Sequence, residues 1–99
     1  MNDRILITYA SRAGSTGEVG LAIGGALRAR GFEVDVRPIK AGPRLDGYRA
    51  VLIGSAVRMG HWLPEAVRFV RVNQCALNQM PVALFSVHLL NRGDDEQSR

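Results

Sequence analysis

The sequence has one cysteine and no long apolar run, and both absences narrow the class of protein. Cys75 has no second cysteine to pair with, so a disulfide-stabilised scaffold is excluded. The first apolar run covers residues 5–9, which is too short for a signal-peptide core or a membrane span. These features favour a cytoplasmic protein without a transmembrane segment.

Signals for nucleic-acid binding are also lacking. The chain carries 13 Lys and Arg against 9 Asp and Glu, a formal net charge of +4, which raises the idea of a polyanion-binding surface. The arginines are scattered, however, and no basic run with interleaved aromatic residues accompanies them. We therefore expect a solvated surface and no nucleic-acid partner.

Two common nucleotide-binding signatures are missing. There is no Gly-Lys-Ser/Thr of a Walker loop, and the loop after the first predicted strand offers Gly14 and Gly17 where a dinucleotide fingerprint needs three glycines. ATP and NAD are disfavoured. Asp35 lies inside the second predicted strand, where we interpret it as an exposed edge charge rather than a ribose ligand.

What is present is ordinary globular composition. The 99 residues are 46% hydrophobic and 22% charged, and they permit a single domain. Continuous apolar runs predict buried strands at residues 5–9, 50–55 and 81–87. Alternation over residues 32–37 predicts a strand with one polar face near a sheet edge. We expect the domain to cover residues 1–91 and a disordered tail to cover residues 92–99.

Helices are predicted between these strands. The first presents an apolar face made of Val19, Ala22, Ile23, Ala26 and Leu27, with Gly24 and Gly25 where the helix approaches the sheet closely. The second begins at Pro64 and runs to about Leu77, with Cys75 as a small buried residue and with Leu63, Ala66, Val67 and Val70 on its apolar face. Strands separated by helices pair in parallel, which predicts an open, wound α/β sheet.

The loop after the first strand has the composition of an anion site. Ligands bind outside the carboxyl ends of such strands. Ser11, Ser15 and Thr16 supply hydroxyl donors directly before a helix N-terminus, where free N–H groups and the helix dipole favour an anion. The same cluster is explained if Ser15 or Thr16 caps the helix, with Glu18 completing a capping box. The two interpretations are compatible.

The chain resembles the flavodoxin family at several points. Residues 7–16, Ile-Thr-Tyr-Ala-Ser-Arg-Ala-Gly-Ser-Thr, look like the family's FMN phosphate loop. Residues 45–55 resemble its approach to the third strand, residues 56–62 its second flavin loop, and residues 84–87 the strand before the third flavin loop. The resemblance spans residues 4–91 and is strongest to the flavodoxin-domain proteins that include menaquinone-dependent protoporphyrinogen oxidase.

The resemblance implies a flavodoxin-like open parallel sheet of order 2-1-3-4, with the fifth strand and last helices of the family missing, and FMN at the switch point between strands one and three. The implied phosphate-binding residues are Ser11, Arg12, Gly14, Ser15 and Thr16. The implied neighbours of the flavin ring are Ser55, Ala56, Val57, Arg58, Met59, Gly60 and Trp62 on one side, and Ser86, Val87 and His88 with residues 89 and 90 on the other. Trp62 either covers the ring or packs over the start of the second helix.

The implied function is that of an FMN-dependent redox protein. It is either an electron carrier or an oxidoreductase of the protoporphyrinogen-oxidase kind, with a redox protein or quinone as partner. The flavin performs the chemistry, so no catalytic residue or metal ligand is nominated. The alternative is a shortened relative that binds no flavin and acts as an assembly or interaction module. Because the fourth predicted strand ends the sheet, we also expect a homodimer through its edge.

Overall fold

The computed structural model describes residues 3–11, 15–58 and 60–88, and the structural statements below concern these residues. The predictions for Arg12, Gly14, Met59, residues 89 and 90, and the tail at 92–99 lie outside them. The described elements in chain order are β1 (Arg4–Ala10), α1 (Ser15–Ala29), β2 (Glu33–Pro38), a 3-10 turn (Ile39–Ala41), β3 (Ala50–Arg58), β4 (His61–Trp62), α2 (Pro64–Val72), α3 (Gln74–Leu77) and β5 (Val82–His88).

Strand β1 lies at the centre of the parallel sheet. It pairs with β2 on one side and with β3 on the other, and β3 pairs in parallel with β5. The order β2-β1-β3-β5 confirms the predicted sheet, with β5 as the fourth predicted strand. Leu6, Ile7, Val51 and Ile53 are fully buried. Burial of each such side chain stabilises the fold by roughly 1.5–3 kcal/mol, which is why continuous apolar runs mark the central strands.

Strand β3 is longer than its apolar run suggested. It continues past Ser55 to Arg58 and then turns back into the two-residue strand β4. The two strands pair antiparallel through Val57 with Trp62 and through Arg58 with His61. Gly60 in the connecting turn has a φ of 81°, a conformation that glycine adopts readily. Part of the stretch interpreted as a flavin loop is therefore a β-hairpin.

Helix α1 packs on the sheet through small residues. Its buried positions are Thr16, Gly20 and Gly24, four residues apart. A Cβ at Gly24 would lie 3.2 Å from Val36 Cγ2, which confirms the close approach predicted for this glycine. The prediction was wrong for Gly25, which is exposed and has no atom within 4 Å of a Cβ position.

The predicted apolar face of α1 is therefore only partly correct. Ile23 and Leu27 are half-buried, whereas Val19, Ala22 and Ala26 are exposed. Because glycines bring the helix axis close to the strands, the contact centres on the glycine row and the larger apolar residues flank it. A pattern of apolar side chains cannot predict this contact, because glycine has no side chain.

The second predicted helix is interrupted. Helix α2 ends at Val72, and Asn73 separates it from the single turn of α3; the Asn73 Nδ2 donates to the Phe69 carbonyl at 2.9 Å. Leu63, Ala66, Phe69 and Leu77 are buried, whereas Val67 is 42% exposed and so does not belong to the buried face. Cys75 is exposed rather than buried, because it lies nine positions after the buried Ala66 and so about half a turn away from it around the helix.

Strand β5 lies at the edge of the described sheet, and within the described residues only β3 pairs with it. Leu84 is 62% exposed and Val82 is 37% exposed. The continuous apolar run predicted a buried strand, and this was wrong for Val82 and Leu84, because α2 and α3 flank this face of β5 without covering it. None of the described helices has both the length and the apolarity needed to cross a membrane.

Candidate functional site

The three predicted binding segments begin in one row across the sheet. Ser55 of β3 is in register with Ala10 of β1 and with Ser86 of β5. Neighbouring strands lie about 4.8 Å apart, so the row from Ala10 to Ser86 spans roughly 10 Å. The chain that follows each of these residues therefore starts at the same carboxyl edge, where ligands of open α/β sheets bind.

Thr16 provides the sharpest chemical feature of this edge. Its side chain is fully buried in the first turn of α1, and its Oγ1 has no hydrogen-bond partner. An unpaired buried hydroxyl costs about 1–3 kcal/mol. The first turn of a helix also presents unpaired N–H groups and the positive end of the dipole. The hydroxyl and these amides form a donor set that fits an anion such as a phosphate monoester.

The unpaired Thr16 hydroxyl excludes one of the two residues that were proposed as the cap of α1. Thr16 lies within the helix and its hydroxyl makes no hydrogen bond, so Thr16 is not the cap. The side chain of Ser15 is outside the described set, and the capping box from Ser15 to Glu18 stays a prediction.

A cleft of about 300 Å³ opens at the ends of β1 and β2, next to the predicted phosphate loop. Its lining consists of Tyr9, Ala10, Ser11, Pro38, Ile39, Lys40 and Glu65. Tyr9 connects the cleft to α1, because a Cβ at Gly17 would lie 3.2 Å from two carbons of the tyrosine ring. Ser11, which is half-buried and directly follows β1, forms part of the cleft wall.

Ser55 has a structural hydrogen-bonding role. Its buried Oγ donates to the Ala56 carbonyl at 2.8 Å and accepts from the Leu63 N–H at 3.0 Å. Leu63 immediately precedes α2, so this hydroxyl fixes the start of that helix. The side chain of Ala56 is fully buried as well. A predicted contact between these two residues and a flavin can therefore come only from their backbone.

The other predicted ring neighbours lie nearer the surface. Val57 is half-buried and is in register with both Trp62 and His88, and Gly60 is exposed in the hairpin turn. Val87 is half-buried, next to the exposed Ser86. For Arg58 and His88 the backbone places the residues at the ends of β3 and β5.

Trp62 joins two of the predicted segments. Its indole Nε1 donates to the Ser86 Oγ at 2.8 Å, and its half-buried ring packs against the core cluster that contains Leu63 and Ala66. The core contact supports the packing interpretation of Trp62, and its contact with a flavin ring stays a prediction. The sequence analysis did not identify the pair, because the residues lie 24 positions apart; the only signal was the general need of a half-buried indole N–H for an acceptor.

The clearest electrostatic cluster lies away from this edge. Asp35 Oδ2 accepts from the Tyr48 hydroxyl at 2.7 Å and from Arg4 Nη2 at 3.0 Å. Both hydrogen bonds, that of Tyr48 first, hold the pKa of Asp35 below its ordinary value. Burial, and then the hydrogen bond to Asp35, raises the pKa of Tyr48. Asp35 is thus a charge on an edge strand, as interpreted, and it is paired with Tyr48 and Arg4.

Across residues 3–11, 15–58 and 60–88, no group of three His, Cys, Asp or Glu could hold a metal ion.

Comparison with known proteins agrees with this architecture. Protoporphyrinogen IX dehydrogenase [quinone] of Escherichia coli strain K12 is 30% identical over 97 residues, which cover 96% of this chain and 54% of that protein. The chain thus spans about half the length of this curated relative. An archaeal flavodoxin has a TM-score of 0.71 at 15% identity, covering 86% of this chain and 82% of that one. A variant flavodoxin of Fusobacterium nucleatum, bound to flavin mononucleotide, has a TM-score of 0.60 at 16% identity, with 86% and 51% covered.

The family model of the flavodoxin domain matches residues 6–99, nearly the whole chain. The parallel order β2-β1-β3-β5 and the solved flavodoxins of the same fold agree with that match. The chain belongs to the flavodoxin-domain family.

Proposed function

We propose that this chain binds FMN at the carboxyl ends of β1, β3 and β5 and acts as a redox domain. The carrying observation is the Thr16 hydroxyl, which is fully buried in the first turn of α1 and has no hydrogen-bond partner. Two comparisons support the proposal. The Fusobacterium flavodoxin is bound to flavin mononucleotide, and the E. coli relative is a quinone-dependent dehydrogenase by name.

Different residues would bind the phosphate and the ring of FMN. Thr16 and the amides of the first turn of α1 would hold the phosphate, together with the predicted contributions of Ser11, Arg12, Gly14 and Ser15. Val57, Gly60 and Trp62 would lie on one side of the flavin ring, with Arg58 and Met59 and the backbone of Ser55 and Ala56. Ser86, Val87 and His88 would lie on the other side. Bound FMN supplies the electron exchange, and these residues bind and orient it.

We further infer that the electron partner is a quinone or a redox protein, as the name of the E. coli relative suggests. Turnover of protoporphyrinogen IX with a soluble quinone, measured with the FMN-loaded chain, separates an enzyme from an electron carrier.

A cytoplasmic location remains a prediction from the single cysteine, which is free and exposed. The second candidate function, an interaction module without flavin, is favoured by the exposed apolar side chains of β5.

The test is an FMN titration of wild type and two matched valine variants. Thr16→Val keeps the buried volume and removes the hydroxyl. Thr8→Val is the control, because Thr8 is also fully buried and its Oγ1 also has no partner. Thr8 is in register with Ile53, which belongs to the core cluster under α2, away from α1. FMN fluorescence and the emission of Trp62, the single tryptophan, report binding.

We expect Thr16→Val to weaken FMN binding roughly 10- to 100-fold, the loss of one hydrogen bond to a charged group. Thr8→Val should bind as wild type does. Both variants should keep or raise their thermal midpoint, because each removes an unpaired buried hydroxyl. Wild type that leaves FMN fluorescence unchanged at high micromolar concentration supports the interaction module. Unaltered affinity of Thr16→Val, or equal losses in both variants, contradicts the phosphate site.

A further inference from the structure

The cleft at the ends of β1 and β2 contains two charged residues that have no role in the flavin site described above. Lys40 and Glu65 line it together with Ser11, which belongs to the predicted phosphate loop. Lys40 is the single lysine of the sequence, and Glu65 lies in the first turn of α2. One cleft of about 300 Å³ thus brings a lysine and a carboxylate residue next to a predicted phosphate ligand.

The register of the β1–β2 ladder explains why Lys40 lies next to Ser11. Tyr9 is in register with Pro38, the last pair of this ladder. Ser11 and Lys40 each follow that pair by two residues, and neighbouring strands lie about 4.8 Å apart. Both residues line the same cleft, so the two chain segments remain side by side beyond the sheet.

The turn that carries Lys40 is anchored on both sides. Ile39 is 8% exposed and belongs to the core cluster under α2. The Gly42 N–H donates to the Ile39 carbonyl at 2.9 Å, and Gly42 has a φ of 66°, which glycine adopts readily. Lys40 is exposed between these two anchors. The fold therefore holds the backbone of the lysine beside the predicted phosphate loop.

We propose that Lys40 makes the site select FMN over riboflavin, the same flavin without a phosphate; this inference rests on the proposed function. A phosphate monoester carries about 1.5 to 2 negative charges at neutral pH, and the Glu65 carboxylate in the cleft repels it. The ammonium group of Lys40 offsets that repulsion and attracts the phosphate. The phosphate loop and the first turn of α1 bind the phosphate directly, whereas Lys40 acts through its charge across the cleft.

The experiment compares the affinities of FMN and riboflavin for the full chain and its charge variants, measured by flavin fluorescence. Lys40→Gln removes the charge and Lys40→Arg keeps it. Arg30→Gln is the matched control, because Arg30 is an exposed cation beyond the far end of the 15-residue helix α1, roughly 20 Å from its first turn. Thermal midpoints equal to that of wild type verify that the variants are folded.

We expect Lys40→Gln to weaken FMN binding about 3- to 10-fold at about 0.1 M salt and to leave riboflavin binding unchanged. At about 1 M salt the loss should disappear, because the Debye length falls from about 10 Å to about 3 Å. Lys40→Arg and Arg30→Gln should bind FMN as wild type does. Adding Glu65→Gln to Lys40→Gln should restore most of the lost affinity, because both charges of the cleft are then absent.

The single lysine provides a second readout that needs no variant. Acetic anhydride acetylates uncharged amines, and mass spectrometry measures the acetylated fraction of the peptide that contains Lys40. Saturating FMN should lower this fraction about two-fold or more, because a nearby phosphate favours the charged, unreactive form of the amine. Riboflavin should leave the fraction unchanged.

Separate results would overturn this inference and the proposed function. Equal losses of FMN and riboflavin affinity in Lys40→Gln overturn the role of Lys40, and so does a loss that persists at about 1 M salt. Wild-type affinity for FMN in Lys40→Gln at low salt also overturns that role, while the proposed function stands. Wild type that binds no FMN contradicts both.

Discussion

At the scale of single residues, two buried threonines have the same chemistry and different expected roles. Thr8 and Thr16 are both fully buried, and neither hydroxyl has a partner. Thr8 lies within β1, where strand neighbours surround it, whereas Thr16 lies at a helix N-terminus. Of the two, only Thr16 lies in the first turn of a helix, where backbone amides favour an anion. The two threonines differ only in position. Comparing Thr16→Val with Thr8→Val therefore separates an effect on FMN binding from an effect on protein stability.

Asp35 and Tyr48 give a prediction for the pH dependence of stability. The pKa of Asp35 is lowered from 3.8, first by the hydrogen bond from Tyr48. Because the folded-state pKa is depressed, the stabilisation is present above pH 3.8 and is lost as the pH falls through the lowered value. Tyr48→Phe should reduce the free energy of unfolding at neutral pH by about 0.5 kcal/mol, since the Asp35 side chain is 34% exposed and screened by solvent.

Urea unfolding of wild type and Tyr48→Phe between neutral pH and pH 2.5 measures this effect. The difference between the two proteins should shrink below pH 3.8, the ordinary value for the carboxyl group. Tyr9→Phe serves as the control, because the half-buried Tyr9 contacts Gly17 rather than Asp35. A Tyr48→Phe difference that stays constant over the whole pH range contradicts the assignment of the shift to this hydrogen bond.

At the scale of elements, the contact between β3 and β5 depends on a missing side chain. Gly54 is in register with Phe85, and a Cβ at Gly54 would overlap with the phenylalanine ring. We expect Gly54→Ala to lower the free energy of unfolding by about 1–3 kcal/mol through overpacking. The double variant Gly54→Ala with Phe85→Leu should lose less than the sum of the two single variants, and chemical denaturation measures all three.

Gly25→Ala is the matched glycine control for that experiment. Gly25 is exposed in α1 with nothing within 4 Å of a Cβ position. Alanine there should raise the free energy of unfolding by about 0.4–1 kcal/mol, because it restricts the unfolded chain and favours the helix. For the preceding experiment, losses of unfolding free energy in Gly54→Ala and Phe85→Leu that add up fully in the double variant would count against a contact between the two residues.

The hydrogen bond between Trp62 and Ser86 ties the β3–β4 hairpin to β5. Ser86→Ala removes the acceptor and should lower the free energy of unfolding by about 0.5–1.5 kcal/mol. Because Trp62 is the single tryptophan, its emission should shift as the indole N–H turns to water, and steady-state fluorescence measures this. Ser11→Ala is the control, because Ser11 follows β1, which is separated from β5 by β3. An emission spectrum unchanged by Ser86→Ala contradicts the hydrogen bond.

At the scale of the whole molecule, the proposed cofactor site would couple stability to binding. If FMN binds the folded chain, the thermal midpoint should rise with FMN concentration, because the bound folded state is favoured by mass action. Thr16→Val should shift this dependence to higher FMN concentration, and scanning calorimetry over a range of FMN concentrations measures it. A wild-type midpoint independent of FMN concentration would contradict binding to the folded chain.

Much of this molecule was determined by sequence alone. Continuous apolar runs identified β1 and β3, and alternation identified the edge strand β2, because burial on two faces or one dictates these patterns. The alternation of strands and helices predicted parallel pairing, and the resemblance to the flavodoxin family implied the strand order. Ser11, Ser15 and Thr16 were predicted as phosphate donors from their position before a helix, and their contact with a phosphate stays a prediction. The structure adds that the Thr16 hydroxyl is buried there without a hydrogen-bond partner.

Tertiary structure decided the rest. Whether an apolar strand is buried depends on what covers it, so Leu84 of β5 is exposed although its run resembles that of β3. The glycine row of α1 determines its packing face because contact depends on how closely two backbones approach. The roles of Ser55 and Trp62 depend on partners distant in sequence, Leu63 and Ser86, that only the folded chain brings within hydrogen-bond distance.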